Sequence, residues 1–254
     1  MTAQTCSDIS RGAARIRHVS NGVRGRAVAS AFRLIFRASK DRDDLIRLGT
    51  DYGGWWVPSG LLTADSVCYC AGVGLDISFD LGLIATFGCR VWAFDPTPAS
   101  VAWVSSQQLD ERFSFAPVGV AGQDDHLRFY APAESTHVSH SVKNLQRTEA
   151  YFTAPVRTVS ALMADLGHKT IDLLKLDVEG AEHETIRGVL ADGHRPTIVC
   201  VEFDQPEPLA WARDTTRRLR SAGYDLVKVE GFNLTFVHRD SASPGKRRSR
   251  PVDA

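Results

Sequence analysis

From residue 65 onward the chain alternates short apolar runs with stretches of helical periodicity, and few architectures accommodate that order. The runs at residues 66–71, 89–94, 112–118, 171–176 and 197–203 have strand length and strand composition. Helical stretches follow at residues 76–87, from Thr97-Pro98 onward, and at 158–166, 181–190 and 209–222. Strands alternating with helices make a mostly parallel sheet with helices on both faces. Strands that are apolar throughout belong inside such a sheet, because both of their faces are covered. The last two runs, 225–230 and 232–238, are separated by Gly231 and read as an antiparallel hairpin at the sheet edge.

Punctuation supports this order. Asp76 is placed to cap the first helix and Gly88 to close it in the left-handed conformation. Thr97 is placed as the next cap, with Pro98 at the first helical position, where its missing N–H costs nothing. A further short strand is expected at 126–130, and residues 131–151 lose periodicity and read as a loop over the site. Upstream, residues 27–48 have a helical pattern. The chain thus divides into a basic segment at 1–26, a helix with an aromatic segment at 27–64, the α/β domain at 65–238 and a basic, Ser/Pro-rich tail at 239–254.

Charge bounds the partners. The 30 basic and 30 acidic residues balance, but residues 1–40 carry eight Lys or Arg against Asp8 alone. Residues 41–238 consequently hold 17 basic and 27 acidic residues, an excess that repels nucleic acid phosphates. No apolar run approaches the roughly 20 residues of a bilayer span, so no stable membrane insertion is expected. Of five cysteines, Cys68, Cys70, Cys89 and Cys200 lie in apolar runs as small hydrophobes, which reads as a reduced, cytoplasmic protein.

Titratable residues concentrate at strand ends. Residues 171–186, IDLLKLDVEGAEHETI, carry an apolar strand that ends on Asp177, with Glu179, Glu182 and His183 directly after it. A charge at the rim of a core needs a partner, a ligand or a reaction. Glu202 ends the following strand, and ligands of open α/β sheets bind beyond the C-terminal strand ends.

Gly72 and Gly74 form a Gly-x-Gly turn between the first strand and its helix, a geometry that lets backbone approach a ligand closely. Asp95, some twenty residues on at the end of the second strand, is placed to accept from ribose hydroxyls. Ile77 stands where a dinucleotide loop would carry its third glycine, and Asp76 and Asp80 would repel a pyrophosphate. An adenosine cofactor with a sulfonium and an amino group suits that acidity, and S-adenosylmethionine has both.

Three segments now carry a family resemblance over residues 52–238. IDLLKLDVEGAEHETIRG (171–188), GVGLDISFD (72–80) and VWAFDPTPASV (91–101) resemble the FkbM family of S-adenosylmethionine-dependent methyltransferases, and YGGWWVP (52–58) is similar to the aromatic segment of some members. The resemblance implies a Rossmann-like class I methyltransferase fold with a seven-stranded sheet. It further implies methyl transfer to a hydroxyl of a sugar, glycolipid or polyketide-like metabolite, a small-molecule partner. By position, Gly72 and Gly74 would bear the methionine-binding turn, Asp95 the ribose contact and Asp177 the edge of the transfer site. Cys70 stands where many methyltransferases of this fold have an acid, which leaves Asp76 as the candidate for the cofactor's amino group.

For the chemistry, Asp177, Glu179, His183 and Glu202 are the candidates to take or direct the hydroxyl proton. Each has a structural competitor: Asp177 as a cap of the following helix, Glu179 as a carboxylate at a helix N-terminus, His183 as one half of an i,i+4 pair with Glu179. A divalent metal held by Asp177, Glu179 and Glu202 is the less favoured account of the cluster. Tyr52, Trp55 and Trp56 either stack on a ligand or pack on the sheet, and His137 and His140 lie in the aperiodic loop. The alternatives to a methyltransferase are an NAD-linked oxidoreductase and a non-catalytic module on the same fold. Oligomeric state is left open.

Overall fold

The computed structural model describes residues 32, 35–38, 42–130, 148–203 and 209–242. Seven strands form the main sheet: β3 (Val67–Ala71), β4 (Arg90–Phe94), β5 (Phe113–Ala116), β9 (Leu173–Leu176), β10 (Ile198–Glu202), β11 (Tyr224–Glu230) and β12 (Asn233–His238). Their order is β11-β12-β10-β9-β3-β4-β5, with β12 antiparallel to both of its neighbours and β3, β4, β5, β9 and β10 paired in parallel. This is the Rossmann-like class I methyltransferase fold. The late hairpin forms as expected, and its second strand is the inner one, hydrogen-bonded to β10, while β11 takes the edge.

Helices α1 (Ser78–Phe87), α2 (Pro98–Ser105), α3 (Val159–Asp165), α4 (Glu182–Ala191) and α5 (Leu209–Ser221) complete the α/β layers. Two apolar cores result. One joins Leu174, Leu176, Phe203 and Phe236 to Ile186 and Leu219, and the other joins Cys68, Cys70, Leu173 and Ile198 to Phe79 and Leu83. The four cysteines are free and buried, as small hydrophobes should be.

Gly88 closes α1 at φ 70°, its N–H bonded to Ile84 O. The start of α1 differs from expectation. The N-cap of α1 is Ile77, and Asp76 instead accepts from Ser78 N at 2.7 Å, so the same carboxylate serves from one residue earlier. Thr97 is the N-cap of α2 with Pro98 at the first helical position, as expected; its side chain makes no cap bond, and its N–H donates to Asp95 Oδ1.

Two small sheets were not expected. Residues of the anticipated helix at 27–48 include β1 (Leu45–Leu48), which pairs antiparallel with β2 (Trp55–Pro58). Long-range pairing and packing on α1 override a local pattern that suits either state. Helical backbone in that region is confined, among the described residues, to Phe32 and Ile35. The other small sheet, β6-β8-β7, comprises Gly119–Val120, Tyr151–Arg157 and Asp125–Tyr130. Of the expected loop at 131–151, residues 131–147 with His137 and His140 lie outside the described residues, as do the segments 1–26 and 243–254, and Tyr151 already begins β8. No helix among the described residues is long and apolar enough to cross a membrane.

Candidate active site

The C-terminal ends of β3, β4 and β9 are tied together. Gly72 N donates to Phe94 O at 2.9 Å, and Asp177 N donates to Ala71 O at 3.1 Å. Gly72 has φ 84°, and a Cβ there would come within 1.7 Å of Asp177 O. Only glycine lets the two strand ends close this tightly. Gly74 has φ 57° with open space where its Cβ would point, so this second glycine keeps backbone accessible to a ligand.

A cleft of about 300 Å³ opens over these ends. One wall is the glycine turn with Asp76, Phe79 and Asp80; a second is Asp95, Pro96, Thr97 and Ser100; the small sheet adds Val120, Phe129 and Val156. The far end is acidic, with Asp177, Glu179, Glu202, Tyr52 and Asn233 around Lys175. Gly72, Gly74, Asp76, Asp95, Asp177, Glu179 and Glu202 are therefore brought together as the sequence suggested.

His183 is not. Its Nδ1 lies 2.7 Å from Thr215 Oγ1, its Nε2 3.7 Å from Asp214, and its ring stacks on Trp211, all on α5. Helix α4 begins only at Glu182, which turns His183 toward α5 and away from the cleft. The fully buried Glu182 is structural as well: its carboxylate accepts from Val178 N and Gly180 N and holds the 177–180 turn. Within that turn Glu179 has φ 54°, the one positive φ outside glycine among the described residues. Such a conformation persists where surrounding structure enforces it, and it clusters at functional sites.

Asp95 Oδ2 accepts from Val73 N and Gly74 N, both at 2.9 Å, and Oδ1 accepts from Thr97 N at 2.8 Å. The acid of the second strand thus shapes the glycine turn of the first. Asp76 accepts from Thr50 Oγ1 at 2.5 Å as well as from Ser78 N. That contact belongs to the β1–β2 loop, where Thr50 N also donates to Ser78 Oγ and Gly54 N returns to Thr50 O. The loop carries Tyr52 to the mouth of the cleft, 46% exposed, and the start of β2 carries Trp55 to its floor, 2% exposed. Trp56 faces the other way, under Lys228 at 4.0 Å.

Lys175 was not singled out in the sequence, although a lysine inside LLKL was the available signal. It is buried, donates to Gly72 O and lies 3.2 Å from Asp177 Oδ2. Burial alone would lower its pKa, but the charges of Asp177 and Asp80 reverse this and raise it, so it stays a cation. Asp80, on α1, is pushed up to about 6 by desolvation, an effect partly offset by Lys175 and by a hydrogen bond from Cys70.

The carboxyl of Glu202 is held well above the usual range by burial, and then by the charge of Asp177 and a hydrogen bond with it. These two carboxyls form a pair that keeps a proton where isolated acids would not. Tyr52 feels the same cluster: although the residue is part exposed, burial of the phenol and then the charges of Asp177, Glu202 and Glu179 push it up to about 12. Among the described residues no three His, Cys, Asp or Glu side chains form a group that could hold a metal ion.

Comparison with known proteins agrees with the motifs. No curated protein matches the sequence. Solved structures that resemble the fold include a putative transferase, PH0793, from Pyrococcus horikoshii, at 11% identity and TM-score 0.38 over 77% of this chain and 71% of that one. Fibrillarin from Methanococcus jannaschii, a pre-rRNA processing protein, gives 10%, 0.39, 80% and 86%. Fibrillarin from Aeropyrum pernix, solved with natively bound S-adenosyl-L-methionine, gives 9%, 0.40, 79% and 83%. The family described as the methyltransferase FkbM domain matches residues 74–226, from the glycine turn to the edge strand. With more than half of its length matched, this chain belongs to the FkbM methyltransferase family.

Proposed function

We propose that the protein is an S-adenosylmethionine-dependent O-methyltransferase whose acceptor is a small hydroxylated molecule, a sugar, glycolipid or polyketide-like metabolite. The observation that carries this reading is the meeting, in one cleft, of the Gly72–Gly74 turn and Asp95 with the Asp177–Glu202 pair. The cleft fits the cofactor on two counts. Open space over Gly74 allows close approach to the turn, and the buried Ser100 hydroxyl on the Asp95 wall has no partner among the described residues. Asp76 and Asp80 on the glycine wall suit a ligand without phosphates, which weighs against a dinucleotide.

When bound, the cofactor supplies an electrophilic methyl group on a sulfonium. The protein's share of an in-line displacement is orientation and removal of one proton. Gly72, Gly74 and Asp95 would hold the adenosine and methionine portions. Trp55 and Tyr52 would bound the acceptor and exclude water. The carboxylate of the Asp177–Glu202 pair would take the proton of an acceptor hydroxyl, and Lys175, 3.2 Å from Asp177 Oδ2, would stabilise its anionic form beforehand. Glu179, fixed by its turn, would accept from a second hydroxyl of the acceptor.

Calorimetry with S-adenosylmethionine and S-adenosylhomocysteine tests the cofactor half: binding in the micromolar range is expected, and none at millimolar ligand sinks the reading. Asp95→Asn should weaken binding at least tenfold, about 1.4 kcal/mol. Incubation with methyl-labelled S-adenosylmethionine and a small-molecule extract, followed by mass spectrometry, should yield a labelled product carrying an O-methyl group. Label on nitrogen or carbon alone would refute the O-directed assignment.

A further inference from the structure

Two oxygens in the cleft wall, Ser100 Oγ and Asp80 Oδ1, have no hydrogen-bond partner among the described residues, and only the second belongs to a carboxylate. Asp80 is 4% exposed, lines the cleft from the first turn of α1, and its Oδ1 is buried and unsatisfied. A buried carboxylate oxygen without a donor is costly, and a functional site is where such a cost is retained. The other acids near the glycine turn are engaged. Asp95 accepts three backbone N–H groups, Asp76 accepts from Thr50 and Ser78, and Asp177 is paired with Lys175. Lys175 itself spends its contacts on Gly72 O and Asp177.

We propose that Asp80 Oδ1 receives the α-ammonium of the cofactor's amino acid portion, in place of the acid that Cys70 does not supply. This rests on reading the cleft as an S-adenosylmethionine site, and it replaces Asp76 in the role the sequence suggested. Cys70 ends in β3 below the turn, and Asp80 reaches its thiol from the facing helix, so the carboxylate arrives at the same place from a different element. With Lys175 holding its pKa down to about 6, Asp80 is anionic at neutral pH. The ammonium would supply both the missing donor and a charge to balance Asp80.

The same end of the cofactor carries a carboxylate, which gives the test a sign. In Asp80→Asn, affinity for S-adenosylhomocysteine should fall tenfold or more, while 5′-methylthioadenosine, which lacks the amino acid portion, should bind within threefold of its affinity for the unaltered protein. Equal losses for both ligands, unchanged affinity, or tighter S-adenosylhomocysteine binding, as when Asp80 faces the carboxylate, would overturn the assignment. The unaltered protein gives a second reading should the variant fold poorly: S-adenosylhomocysteine with hydrogen in place of the α-amino group should bind at least tenfold more weakly, and binding within threefold refutes the proposal. Failure of the unaltered protein to bind S-adenosylhomocysteine and 5′-methylthioadenosine alike would instead remove the cofactor reading itself, and this assignment with it.

Discussion

The ammonium of Lys175 lies 3.2 Å from Asp177 Oδ2, directly beneath the glycine turn whose Gly72 carbonyl it also binds. One buried cation thereby joins the glycine-turn half of the cleft to its acidic half. Removing one partner of a buried pair leaves the other charge uncompensated, which is more costly than losing the pair as a whole.

Lys175→Met keeps most of the side-chain volume and removes the charge. Asp177 and Asp80 then face each other's field without a counter-ion, so a stability loss of about 3–5 kcal/mol is expected in urea denaturation. A loss below about 1 kcal/mol would show that solvent already neutralises the cluster.

The two glycines should separate fold from binding. Gly72→Ala drives a methyl group into the backbone of Asp177 and should destabilise the protein by at least about 3 kcal/mol, read by thermal unfolding. Gly74→Ala meets no atom, so it should cost only about 1–2 kcal/mol for its positive φ. Its added methyl points into open space over the turn, and S-adenosylhomocysteine affinity should fall about tenfold, near 1.4 kcal/mol, by calorimetry. Equal behaviour of the two variants would contradict this division.

Asp80 sets a pH dependence. Its folded pKa of about 6 lies above its ordinary 3.8, so between these values the folded protein retains a proton that the unfolded chain has released. Stability from this group is complete below about pH 4 and is lost as pH rises through 6. Asp80→Asn cannot titrate. The unfolding free energy of the variant minus that of the unaltered protein should therefore grow by about 3 kcal/mol from pH 4 to pH 7. Glu202 adds a slope of the same sign to both proteins and cancels in the difference. A flat difference would mean that Asp80 is not desolvated.

His183→Ala removes the bond to Thr215 and the stacking on Trp211, both on α5. A loss of about 1–2 kcal/mol is expected from the buried threonine left without its partner. S-adenosylhomocysteine affinity should stay within twofold, since His183 does not line the cleft. A tenfold loss of affinity would return the residue to the site.

The late hairpin and the central strands were legible because their packing is nearly one-dimensional. A strand such as VCYCA that is covered on both faces must be largely apolar, and glycines such as Gly88 mark where helices stop. The turn at Gly72 and Gly74 was legible because two glycines stand between a strand and a helix, and it gained weight only from Asp95 and the carboxylates at the later strand ends. Residues 45–48, LIRL, show the limit. They suit a helix or a strand, and only pairing with Trp55–Pro58 decides between them.

By itself, then, the sequence determined the α/β order, the strand-end carboxylates and the glycine turn, because each is written in local pattern. Tertiary structure alone decided which titratable groups share a cleft. It turned His183 toward Thr215, brought Lys175 under Asp177, laid the Tyr52 loop over the mouth, and left Asp80 with an unpartnered oxygen beside Cys70. Burial and charge proximity are properties of residues far apart in the chain, and no local pattern encodes them.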